Sequence, residues 1–217
     1  MKLKPTELLD VYNKLESHFG QQHWWPADTA FEVVVGAILT QNTSWKNVEK
    51  AIENLKDEDV LSPEGIYGVP VERLETLLVP SGFFRVKTAR LKSFINFLFE
   101  KYGGKLDSLL SLEPAMLRDE LLGIKGIGKE TADSIILYAA DKPAFVVDAY
   151  TRRVFERLGM LEKDAAYDEI KQMFEEHLPV DTRIYNGFHA LIVKLAKDVC
   201  KKRPVCEECP LEGGCDF

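Results

Sequence analysis

The chain is predicted to be an all-α protein of two helical lobes, with two helices joined by a glycine hairpin and a four-cysteine metal loop at the C-terminus. Three observations predict this. Apolar residues recur at i, i+3, i+4 and i+7 along nearly the whole chain, the spacing of one helical face. No sustained period-2 alternation bounded by turn residues appears, so no sheet of any size is expected. The punctuation is also helical, with capping residues before apolar runs and glycines after them.

Taken in order, helices are expected near residues 5–19, 29–39, 45–55, 71–78, 86–102, 114–122, 129–141, 149–159, 166–177 and 182–198. Gly20 stands where the first of these should end, and Gly103 follows the fifth. Thr29 and Glu32 fit a capping box at the start of the second. Ser62-Pro63-Glu64 supplies an N-cap, a proline at the first helical position and an acid in the first turn. In 129–141, Ala132, Ile135, Ile136 and Ala139 share one face. The expected lobes are residues 25–143, and residues 1–24 joined with 144–217, with the active site in the cleft between them. No repeat or low-complexity linker is present.

Hydrophobic residues make up 46% and charged residues 29%, a balance ordinary for a globular protein in water. No apolar run approaches the roughly 20 residues of a membrane span. The start, MKLKPTELLD, lacks the apolar stretch of a signal peptide, so a cytoplasmic location and no membrane partner are expected. With 28 Lys and Arg against 35 Asp and Glu, the net charge is −7, which by itself argues against a nucleic-acid binder. Basic residues nevertheless cluster locally. Lys194, Lys197, Lys201, Lys202 and Arg203 form one group, Arg85, Lys87, Arg90 and Lys92 a second, and Lys125 and Lys129 flank the glycine turn. Such groups are either phosphate contacts or solvated helix faces.

The segment LLGIKGIGKETADSIILYAA, residues 121–140, runs from one helix through Gly123, Gly126 and Gly128 into another. Three glycines in six residues permit a tight turn and a close backbone approach. The second helix aims its positive end the same way, which suits a DNA phosphate held without reading sequence. A plain turn between packed helices is the other reading. All four cysteines, Cys200, Cys206, Cys209 and Cys215, fall within the last 18 residues at spacing C-x5-C-x2-C-x5-C. In an intracellular chain such a group binds metal rather than forming disulfides, and four thiolates serve either an iron–sulfur cluster or zinc. A metal there would staple a tail that has little core of its own.

These segments resemble the helix-hairpin-helix DNA glycosylases of the endonuclease III type. The hairpin matches, and FVVDAYTRRVFERL at 145–158 places Asp148 where the family carries its aspartate. Without the resemblance, an aspartate directly before a helix is most often an N-cap. The cysteine spacing resembles the family's C-x6-C-x2-C-x5-C, one residue shorter in its first gap, and implies a [4Fe–4S] cluster with zinc as the alternative. The resemblance further implies a monomer acting on double-stranded DNA that contains a damaged base. Gln41, in the loop after FEVVVGAILT, takes the place of the residue that fills the gap left by a flipped base. Phe83, in Gly82-Phe83-Phe84, takes that of the wedge, although a core aromatic is the bland alternative. Gly123, Lys125, Gly126, Gly128 and Lys129 would hold the DNA backbone.

One departure decides the expected chemistry. Members that also nick DNA carry a lysine at the position where this chain has Glu130, and Lys129 lies one residue, about 100° of helix, earlier. Glutamate cannot form a Schiff base. The expectation is therefore hydrolysis alone, with Asp148 stabilising the cationic sugar or activating water. HWWP, the aromatic Trp45 after Gln-Asn-Thr, and Glu130 resemble the 3-methyladenine DNA glycosylase III branch, from whose known member this chain departs in having the cysteines. That resemblance implies a base pocket of Trp24, Trp25, Pro26, Trp45 and Glu130 and an N-alkylated purine as substrate. Glycosylases for oxidised pyrimidines or mismatched thymine, and a non-catalytic DNA-binding module, are the competing readings.

Overall fold

The segment AFEVVVGAIL is apolar all round except at Glu32, and it forms a helix, α2 (Ala30–Leu39), whose residues from Phe31 to Leu39 are all buried. A helix without a polar face belongs inside a protein. The computed structural model describes residues 5–22 and 24–215, so His23 of HWWP lies outside the described residues. All regular structure there is helical, with no strand among the described residues. No helix among them is long and apolar enough to cross a membrane. The chain divides into two compact units, one of residues 27–142 and one of residues 1–26 with 143–217.

In the 27–142 unit, α2 packs against α3 (Trp45–Asp57), α6 (Phe84–Tyr102) and α9 (Lys129–Ser134), to which α4 (Pro63–Gly68), α5 (Val71–Leu78), α7 (Leu106–Leu110) and α8 (Pro114–Leu122) are added. The buried side of α3 is Val48, Ala51, Ile52 and Leu55, the i, i+3, i+4, i+7 set. Ser62 caps α4 as expected, its hydroxyl accepting from the Gly65 N–H at 3.0 Å. Thr29 caps α2 by accepting from the Glu32 N–H at 3.1 Å. Glu32 does not close the expected capping box. Its carboxylate accepts from the Asp28 N–H, one residue early, and pairs with Lys56 at 3.0 Å. The helix expected over 129–141 is α-helical only to Ser134 and continues as a π turn, Ile135–Ala139. Ala132, Ile135 and Ile136 are buried as predicted, whereas the wider turn leaves Ala139 half-exposed.

The other unit is built from α1 (Pro5–Phe19), α10 (Ala149–Arg157), α11 (Tyr167–His177) and α12 (Thr182–Asp198). Its core is aromatic. Phe145 stacks on Phe174 at 4.0 Å, with Phe155, Tyr185 and Phe188 meeting them edge-on. Leu8, Val11 and Leu15 supply the buried face of α1. Each such buried side chain contributes on the order of 1.5–3 kcal/mol. The cysteine loop follows α12.

Candidate functional site

The hairpin joins α8 to α9 through residues 123–128. Ile124 and Ile127 are buried and anchor it, leaving Lys125, Lys129 and Glu130 exposed. Of its three glycines only Gly126 is required by geometry. Its φ is +93°, and a Cβ there would meet Cγ of Arg90 at 2.4 Å. Gly123 is helical, and Gly128, extended at the N-cap of α9, leaves that helix without a side-chain cap. The two helices are strapped together by Arg118, whose Nε and Nη2 donate to the fully buried Asp133 at 2.9 and 3.2 Å.

Gln41 joins the hairpin to α6. Its Nε2 donates to Thr131 Oγ1 at 2.9 Å and to the Gly126 carbonyl at 3.4 Å, and its Oε1 accepts from Arg90. The expected gap filler is thus held against the protein in the DNA-free chain. Phe83 is 69% exposed, which removes the core-aromatic reading. It sits in the left-handed region, φ 46° and ψ 32°, as the N-cap of α6, directly after Gly82 at φ 68°.

The second basic group is not a phosphate-facing patch, contrary to what clustering suggests. Lys87 is buried, and Lys92 donates to the carbonyls of Ile66, Tyr67 and Val69. Arg90 holds Gln41, so only Arg85 of that group is well exposed. In the first group, Lys194 pairs with Asp198 at 2.7 Å and Lys197 lies 5.4 Å over the Trp24 ring. All five residues of this group, Lys194, Lys197, Lys201, Lys202 and Arg203, are exposed. An aliphatic stem and a nearby acceptor let a lysine turn inward, a choice that charge counting does not see.

Asp148 is the N-cap of α10, and the capping role is real. Oδ1 accepts from the Thr151 N–H at 2.7 Å and from its hydroxyl at 3.0 Å. Oδ2 stands 3.5 Å from Nε2 of His189, a buried residue of α12. Burial opposes ionisation of this carboxyl, but His189 and Thr151 outweigh it and hold Asp148 below the usual carboxylate range. Capping and catalysis do not exclude each other here, because capping engages only one oxygen. Sequence reasoning missed His189. Its one signal was a histidine on the apolar face of α12, in FHALIV.

Trp45 opens α3 and is half-buried, its indole N–H donating to Glu49 at 2.8 Å. Trp24 and Trp25 are half-buried and meet edge-on at 6.5 Å, and Pro26 is exposed. The Trp24 indole N–H is buried with no hydrogen-bond partner among the described residues. Trp45 and Glu130 belong to the 27–142 unit, and Trp24 to Pro26 belong to the other.

Arg157 organises the cysteines. It donates to Cys200 Sγ at 3.2 Å and to the carbonyls of Lys201 and Lys202, while Cys215 Sγ donates to the Arg157 carbonyl at 3.2 Å. Burial pushes the Cys209 thiol up, and the sulfurs of Cys200, Cys215 and Cys206 add to the shift. Thiols are soft donors, the type that iron–sulfur and zinc centres use, and all four are unbridged. As they stand, no three or more His, Cys, Asp or Glu among the described residues form a group that could hold a metal ion.

Known proteins share this chain's sequence pattern and fold. The family described as HhH-GPD superfamily base excision DNA repair protein matches residues 35–180. A Methanocaldococcus jannaschii protein provisionally named a DNA repair glycosylase is 52% identical over 99% of both chains. A thymine/uracil-DNA glycosylase of Pyrobaculum aerophilum is 25% identical over 95% of this chain and 89% of its own. Among solved structures, H. pylori 3-methyladenine DNA glycosylase bound to 1,N6-ethenoadenine is 29% identical, with TM-score 0.76 over 90% of this chain and 98% of that one. A non-covalent endonuclease III–DNA complex shares the fold at TM-score 0.84 and 24% identity, over 99% and 96%.

Proposed function

The chain belongs to the HhH-GPD superfamily of base excision DNA repair proteins and is a DNA glycosylase, and we propose that it works by hydrolysis alone, releasing a flipped damaged base and leaving the strand uncut. The observation that carries this reading is Asp148, a mostly buried carboxylate kept ionised by its neighbours. Cleavage of an N-glycosidic bond builds positive charge on the sugar, and a preorganised carboxylate stabilises that charge. The same group orients or deprotonates the attacking water. Glu130 stands where a Schiff-base lysine would be needed.

The substrate proposed is an N-alkylated purine. In this reading Trp45 stacks on the flipped base and Glu130 lies near the base edge. Each indole contact with a cationic ring is worth roughly 0.5–2 kcal/mol. The similarity to H. pylori 3-methyladenine DNA glycosylase supports this choice. The thymine/uracil-DNA glycosylase relative favours a second reading, excision of a mismatched thymine or a uracil. In the DNA-bound state Gln41 leaves its place against Arg90 and fills the gap, Phe83 wedges the stack, and the hairpin backbone with Lys125 and Lys129 holds phosphate. The four cysteines would hold a [4Fe–4S] cluster, with zinc as the alternative; when bound it ties down the tail and takes no part in bond cleavage. The protein acts as a monomer on duplex DNA.

A panel of duplexes with single lesions tests the substrate. Release of methylated purines supports the first reading. Release of uracil or mismatched thymine with methylated purines left intact replaces it with the second. Borohydride should trap no covalent complex with any lesion, and efficient trapping would contradict hydrolysis alone.

A further inference from the structure

Lys87 is 1% exposed, and no carboxylate pairs with it among the described residues. Its ammonium donates to the carbonyl of Ser81 at 2.5 Å. Burial pushes it down to about 8, with Arg90 adding to the shift. An ammonium buried without a counter-charge is unfavourable, and an apolar side chain of the same length would fill the space more cheaply. What the bond holds explains why a lysine stands there.

Ser81 closes a short 3-10 turn, Val79–Ser81, whose end is fixed by the Ser81 hydroxyl donating to the Leu78 carbonyl at 2.7 Å. Gly82 and Phe83 follow, both at positive φ. A phenylalanine in the left-handed region is strained and persists only where its surroundings over-determine it. Lys87 grips the segment on both sides of that residue. Its side chain holds the carbonyl of Ser81, and its backbone N–H donates to the carbonyl of Phe83 at 3.1 Å. Between the two bonds the Phe83 ring projects into solvent.

We infer that Lys87 is the positioning residue of the Phe83 wedge, its buried ammonium fixing the strained loop so that an aromatic ring can be driven into a base stack. The inference rests on the reading of Phe83 as the wedge. Unstacking a base step is energetically unfavourable, so a wedge on a yielding loop would fold back instead of entering the duplex. Lys87 touches neither DNA nor substrate and acts through the loop.

The test uses the full-length protein and a duplex in which 2-aminopurine flanks a tetrahydrofuran abasic-site analogue, so it needs no knowledge of the lesion. Wild-type protein should raise the 2-aminopurine fluorescence on binding. Lys87→Met should keep its thermal unfolding transition and bind the duplex within about threefold of wild type, yet lose more than half of the fluorescence rise. Phe83→Ala should lose it as well, and the double variant should be no worse than Phe83→Ala alone. If the Met variant does not fold, Lys87→Leu, whose side chain has no hydrogen-bond donor, takes its place. A full rise in the Lys87 variant alongside a loss in Phe83→Ala overturns the inference and leaves the wedge reading standing. A full rise in Phe83→Ala removes the wedge reading and the inference with it. A loss of affinity and fluorescence together in the Lys87 variant, with Phe83→Ala binding normally, makes Lys87 a scaffold residue and also overturns the inference.

Discussion

Single side chains carry most of the proposed chemistry, and their environments make them testable. Lys87 has a folded-state value near 8 against 10.5 for the free group. Between those values the unfolded chain binds the proton and the folded chain does not, so stability rises with pH across that window. The buried charge therefore weighs against folding below pH 8 and is relieved towards pH 10.5, by roughly 3 kcal/mol at 1.36 kcal/mol per pH unit. Denaturant unfolding of wild type and Lys87→Met from pH 7 to 10.5 should show wild type gaining on the variant, and parallel curves would contradict this. Trp45 is the residue on which the substrate reading leans most. Trp45→Ala should cut alkylpurine excision about tenfold or more while leaving affinity for an abasic-site duplex nearly unchanged, since one indole contact is worth up to about 2 kcal/mol. Equal loss in both would make Trp45 a packing residue of α3.

At the scale of elements, the hairpin depends on two devices. Gly126→Ala would place a methyl group against Arg90 at a φ that alanine avoids, and Arg90 holds Gln41. Destabilisation by more than about 1 kcal/mol is expected, with weakened DNA binding in a filter or anisotropy assay. Asp133→Ala would remove both bonds by which Arg118 straps α8 to α9 and should cost about 1.5–3 kcal/mol. For the cysteine loop, pure protein should be yellow-brown, and Cys209→Ser should lose the colour and much of its resistance to thermal unfolding. Stoichiometric zinc without iron in elemental analysis would assign the site to zinc. The helices most visible in the sequence were those with a clean amphipathic or fully apolar pattern, α2 and α3 among them, together with caps such as Ser62. The hairpin and cysteine spacing were visible because glycine and cysteine carry local signals. The π turn after Ser134 was not, because periodicity assumes one pitch throughout. The five-residue α7 offers too few turns to show a period.

Across the whole molecule, a net charge of −7 has to be reconciled with DNA binding. Lys87, Arg90 and Lys92 have partners inside the protein, while Lys125, Lys129, Lys197, Lys201, Lys202 and Arg203 are exposed at the hairpin and cysteine loop. Salt dependence of binding should accordingly be modest, with a log–log slope no steeper than about −5. Local charge counting overstated this surface for a physical reason: a lysine or arginine near a backbone carbonyl or a side-chain amide is satisfied inside the protein, and only three-dimensional placement shows it. His189 escaped notice for the related reason that its partner, Asp148, is 41 residues distant in sequence. The central claim is that Asp148 drives hydrolysis of the glycosidic bond without strand cleavage. Single-turnover reaction of wild type and Asp148→Asn with the preferred lesion duplex, analysed for free base and for strand breaks before and after alkali, tests it most directly. Asparagine still caps α10 and should leave fold and DNA affinity intact. Wild type should release base and show breaks only after alkali, and the variant should release base about a hundredfold more slowly. Breaks without alkali, or an unslowed Asp148→Asn, would contradict the account.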